Sequence, residues 1–124
     1  MSPVIRPVIT VIALMSAVSL AGGALAHAFL EQASPRVGSK IAVAPAEVRL
    51  SFSEPVEPAF STIAVTGPAG LVRSGPPRTA VGDRRTLVAP LPKPMAPGRY
   101  RVRWRVISAD THVAQGDFQF ELKP

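Results

Sequence analysis

From Arg99 to Val106 every even position is apolar or aromatic (Tyr100, Val102, Trp104, Val106) and every odd position is arginine. A period of two is that of a β-strand with one face in a core and the other in water. The segment therefore predicts a strand with a cationic outer face. Asp117 to Leu122 repeats the alternation, with Phe118, Phe120 and Leu122 inward and Asp117 and Glu121 outward, and Glu47 to Ser53 does so with Val48, Leu50 and Phe52. If the last two strands are neighbours, arginines and the acids Asp117 and Glu121 can pair across them. Weaker strands are expected at 28–32, 61–65, 71–73 and 86–91, about seven in all, at the spacing of an all-β, two-sheet sandwich.

The punctuation agrees. The chain holds 14 prolines and 9 glycines, and the segments between them are too short for long helices. Ser34-Pro35 and Val37-Gly38 should end the first strand, Gly67-Pro68-Ala69-Gly70 should close a tight turn, and Ala96-Pro97-Gly98 should lead into the arginine strand. Residues 75–83, opening Gly75-Pro76-Pro77, read as an exposed loop, and Arg84-Arg85 as a solvated pair.

The first 26 residues stand apart from this pattern. Arg6, an apolar run from Val8 to Leu20 and the small-residue site Ala24-Leu25-Ala26 have the three parts of a cleavable export signal. The run is shorter than the roughly 20 residues that span a bilayer. Residues 1–26 are thus expected to be removed, leaving 27–124 as one small domain exported to the bacterial periplasm or beyond. Composition narrows its chemistry. The formal charge is +6, but export argues against a nucleic-acid partner and favours anionic surfaces or acidic proteins. Cysteine is absent, so there is no disulfide within the chain or to a partner, and no thiolate to hold a metal.

Cleavage after Ala26 would make His27 the first residue. A terminal histidine offers its α-amine and imidazole Nδ1 together, closing a chelate ring on one ion. The other of the 2 histidines is His112, two residues after Asp110 in Ser108-Ala109-Asp110-Thr111-His112. This stretch falls between the two best-defined strands, where side chains can leave the core and converge. Extended backbone would point Asp110 and His112 the same way. Three nitrogens and a carboxylate oxygen suit copper(II). The competing reading is a capped turn, with Ser108 or Asp110 bonding nearby amides and His112 exposed and idle.

These residues resemble the CopC family of periplasmic copper-binding proteins. Three stretches carry the resemblance: His27-Ala28 running to Ala33-Ser34-Pro35; Val48 to Val56, with Phe52-Ser53-Glu54-Pro55; and Val106 to His112, followed by Gly116 to Phe120. The resemblance implies an immunoglobulin-like Greek-key β-sandwich or barrel and a copper(II) site made by His27, Asp110 and His112. It also implies sequestration or delivery of the ion rather than catalysis. Glu54 matches an acid of the family and is a candidate to orient a ligand, the alternative being an exposed acid before Pro55. Family members are often encoded with, or fused to, a CopD-type inner-membrane protein; with no membrane domain after Pro124, that partner is expected as a separate chain. The chain departs from relatives with a methionine- and histidine-rich copper(I) loop: after residue 26 it has only Met95 and no third histidine, so a single copper(II) site is expected. Two rival readings are a small histidine-brace monooxygenase-like enzyme and a metal-free immunoglobulin-like interaction module. The first fits poorly because Tyr100 and Trp104 fall on the inward face rather than on a flat substrate surface.

Overall fold

The structure, a computed structural model, describes residues 3–4 and 28–124. The expected leader, apart from Pro3 and Val4, lies outside the described residues, as does His27. The described residues form nine strands: β1 (Leu30–Ser34), β2 (Lys40–Ile41), β3 (Glu47–Phe52), β4 (Thr62–Gly67), β5 (Gly70–Val72), β6 (Arg78–Ala80), β7 (Asp83–Pro90), β8 (Gly98–Ile107) and β9 (Val113–Leu122). A 3-10 turn at Pro58–Phe60 is the one helical element among the described residues. The strands form two sheets, ordered β1-β3-β7-β6 and β2-β9-β8-β4-β5. The chain crosses between them at β1 to β2, β2 to β3, β3 to β4, β5 to β6 and β7 to β8. This interleaving is the wiring of an immunoglobulin-like Greek-key sandwich.

Alternation along the strands produces the core. Val48, Leu50 and Phe52 of β3 and Leu87 and Ala89 of β7 face Ile63, Val65, Tyr100, Val102, Val106, Phe118, Phe120 and Leu122 of the other sheet. Each large apolar side chain so buried contributes about 1.5–3 kcal/mol. Tyr100 stacks on Phe120 with ring centroids 5.2 Å apart, while Trp104 meets Phe52 edge-on at 6.3 Å. Gly116 lies opposite Trp104 in the β8–β9 register, and a Cβ there would stand 2.4 Å from the indole Cζ2. The missing side chain makes room for the ring. Tyr100 is buried, and its hydroxyl donates to the carbonyl of Ala96.

The two strands with the clearest pattern pair along their full length, from Gly98↔Leu122 to Ile107↔Val113. Arg101 lies 3.6 Å from Asp117, one of the cross-strand ion pairs the sequence suggested. Gly67 and Gly70 close the β4–β5 turn as expected. The short strands are the difference. β2 is two residues running parallel to the end of β9, and β6 occupies part of the stretch read as a loop. Neither carries an apolar alternation, because both are edge strands set by hydrogen bonding to a neighbour. Likewise β7 begins at Asp83, so the exposed Arg84-Arg85 pair belongs to a strand.

Candidate metal centre

The β8–β9 connection, residues 108–112, is fixed from below by the segment after β3. Val56, fully buried, bridges to Ser108; the amide of Ala109 donates to the carbonyl of Pro55 at 3.0 Å, and that of Glu57 to Ile107 at 2.8 Å. Ser61 ties the same place from the side, its hydroxyl accepting from the Ile107 amide at 3.2 Å and donating to the Glu57 carbonyl at 2.7 Å. At its other end the segment holds the start of the described domain. Phe29 and Ser53 exchange two hydrogen bonds, amide to hydroxyl and amide to carbonyl, each 2.9 Å. Ala28, just before, is buried.

Within the loop the backbone is a tight turn, not the extended run the Asp-x-His spacing suggested. The Thr111 amide donates to the Ser108 carbonyl at 2.8 Å, and the Ser108 amide to that of His112 at 2.9 Å. Thr111 adopts φ 72°, a left-handed conformation that a β-branched residue rarely takes and that costs of order 1–3 kcal/mol. This reversal, rather than strand periodicity, brings Asp110 and His112 together. Asp110 Oδ2 lies 3.0 Å from His112 Nδ1, with side chains 47% and 42% exposed. The pair is reachable by an ion from solvent.

Ser108 organises the pair. Its side chain is buried, and its hydroxyl donates to Asp110 Oδ1 while accepting from the His112 amide at 3.2 Å. That hydrogen bond, followed by those from His112, holds the Asp110 carboxyl below its ordinary value of 3.8. The group is therefore a carboxylate at neutral pH. The loop thus combines features of both sequence readings: Ser108 does bond within the turn, yet His112 is half-buried and faces a carboxylate. An imidazole nitrogen and a carboxylate oxygen at this separation can share a proton or a metal ion. Two cis ligands with bonds of about 2.0–2.1 Å would stand about 3 Å apart.

Of the residues singled out in the sequence, the structure brings together Asp110 and His112. His27 lies outside the described residues. Glu54 is half-buried next to Pro55, whose carbonyl anchors the loop, but it is not gathered with the pair; among the described residues no three His, Cys, Asp or Glu side chains stand close enough to hold a metal. In the sequence Ser108 reads only as a turn cap. Its place two residues before the acid, at the end of an inward-facing run, was the available sign of a buried hydroxyl. The Phe29–Ser53 tether had no such sign.

Comparison with known proteins bears on this loop and its frame. Residues 30–123 match the CopC domain. Protein YobA of Escherichia coli K12 is 35% identical over 99 residues, covering 79% of this chain and 80% of that one. Copper resistance protein C of Xanthomonas campestris pv. juglandis is 32% identical over 124 residues, covering 95% of this chain and 97% of its own. Among solved structures, that of CopC from Methylosinus trichosporium OB3b superposes with a TM-score of 0.73 at 36% identity, covering 79% of this chain and 95% of the other.

Proposed function

The chain belongs to the CopC family, and on that premise we propose that it is a periplasmic copper(II)-binding protein that sequesters or delivers the ion through one site made by His27, Asp110 and His112. The observation that carries the reading is the Asp110–His112 pair, 3.0 Å apart and half-exposed on a loop held by Ser108. It supplies a hard anionic oxygen and an imidazole nitrogen on neighbouring corners of the tetragonal N,O surroundings that copper(II) prefers. The remaining corners fall to the amine and imidazole of His27 once residues 1–26 are removed. His27 is bonded directly to Ala28, and one residue of chain reaches no more than about 3.8 Å. The tether of Phe29 to Ser53, and of the following segment to the 108–112 loop, therefore supports a His27 at the end of the sandwich that carries the pair.

In this reading the ion is cargo, held and handed on rather than used for turnover. Binding displaces protons from the amine and imidazole, so it weakens in acid. Glu54 acts from outside the ligand set, by orienting the residues around the loop. A CopD-type inner-membrane protein is the partner that takes or supplies the ion. The test is electron paramagnetic resonance of the copper(II)-loaded mature protein. A tetragonal signal with nitrogen couplings that diminish in His112→Ala is expected; a spectrum unchanged by that substitution would remove the pair from the site.

A further inference from the structure

The copper reading leaves one conspicuous surface unused. Arg99, Arg101, Arg103 and Arg105 stand in a row on the outer face of β8, a central strand of the five-stranded sheet. At about 3.4 Å per residue the row is about 20 Å long. Its acidic neighbours are two. Asp117 is engaged by Arg101 at 3.6 Å, and Glu121 lies opposite Arg99 in the register. Toward the 108–112 end the balance is cationic: Arg105 lies between Thr62 and Gln115, and Arg103 between Ala64 and the already engaged Asp117.

We propose that this face docks on a bilayer surface rich in anionic phospholipid. Guanidinium groups match phosphate geometry in pairs of parallel hydrogen bonds. A coplanar row of them complements a plane of phosphates, attracted by the negative potential of that surface. The composition of the face favours a membrane over a protein. Protein interfaces use arginine as well, but around clustered aromatic or aliphatic anchors that form a desolvated centre. Here the middle is arginine, flanked by Thr62, Ala64 and Thr66 on one side and by Gln115, Gln119 and, between them, the engaged Asp117 on the other. The large apolar side chain at the margin is Leu71 of edge strand β5, opposite Thr66 and 75% exposed, placed to enter the headgroup layer beside the basic row. Docking this way lays the end of β8, and the loop that follows it, against the membrane. The proposal does not depend on the metal site.

The experiment is co-sedimentation of the protein purified from the exported fraction with vesicles of phosphatidylcholine alone and of phosphatidylcholine mixed equally with phosphatidylglycerol. Binding to the anionic vesicles alone is expected, weakening as salt is raised. In the triple variant R99Q/R103Q/R105Q binding should fall roughly tenfold or more. The three side chains point to solvent, so an unchanged denaturation midpoint is expected. The charge-matched control R36Q/R78Q/R85Q, drawn from the β1–β2 turn and the other sheet, should keep most of the binding. Equal binding to neutral vesicles, or an equal loss in the control, would overturn the proposal. So would capture by polyglutamate without capture by vesicles, which would assign the face to an acidic protein.

Discussion

Two aspartates, Asp83 and Asp110, begin with the same chemistry and end in different roles. Asp83 opens strand β7 and Asp110 sits in a turn, yet each accepts a hydrogen bond from a buried hydroxyl, and each is held below the ordinary carboxylate value of 3.8, first by that hydrogen bond. At Asp83 both oxygens go to donors of the same strand: Oδ2 accepts from Thr86 at 2.6 Å and Oδ1 from the Arg85 amide at 3.0 Å. Thr86 in turn meets Ser51 at 2.8 Å, linking β7 to β3. Asp110 gives Oδ1 to Ser108 and turns Oδ2 toward His112 Nδ1. A hydroxyl that fixes a carboxylate is a structural device in both places. What makes the second a candidate metal site is the imidazole brought to its other oxygen by the left-handed turn at Thr111.

The largest effect that separates the two should come from removing a proposed ligand. His112→Ala or Asp110→Ala is expected to weaken copper(II) binding by roughly 100-fold or more, beyond the loss typical of outer partners. Asp83→Asn should leave affinity unchanged in the same competition titration. Equal losses would erase the distinction.

Changing the hydroxyls sharpens it. Ser108→Ala should lower copper(II) affinity roughly tenfold by freeing the carboxylate it orients, and should cost about 1 kcal/mol in chemical denaturation. Thr86→Val should cost about 1–3 kcal/mol, because it strips a donor from Asp83 and a partner from Ser51, while copper binding stays intact.

Acid offers a subtler contrast. A carboxyl lowered in the folded state contributes stability that is present above its ordinary value and is lost as pH falls through the folded one. Stability should therefore decline below pH 3.8, and Asp83→Asn should flatten that decline in acid titrations followed by circular dichroism. Copper release should begin at higher pH, where the amine and imidazole take up protons. The smallest effect is expected for Glu54→Gln, less than roughly tenfold in copper(II) affinity.

The long strands were legible because their burial is periodic. Tyr100, Val102 and Val106 are buried while Arg99, Arg103 and Arg105 are exposed, as the alternation required. β9 starts at Val113, before its alternation becomes readable, because Val113 is exposed and Gly116 has no side chain to register. β2 and β6 left no trace, since hydrogen bonds to a distant neighbour, not their own composition, define them. At the loop, residue types and order point to Asp110 and His112, but a tight turn, not the extended backbone their spacing suggests, brings them together. A threonine at positive φ cannot be anticipated from its identity, and the anchors at Pro55 and Val56 are contacts between residues about fifty positions apart.

In the proposed site the ion is held by the amine of His27 together with Asp110 and His112. The decisive measurement is a copper(II) competition titration of protein beginning at His27 beside protein with one extra residue before it. The authentic terminus should bind far more tightly, with the advantage fading as pH falls toward and below the amine's reference pKa of about 7.7–8.0. Equal, weak binding by both forms would contradict the account and leave the Asp110–His112 pair as a capped turn.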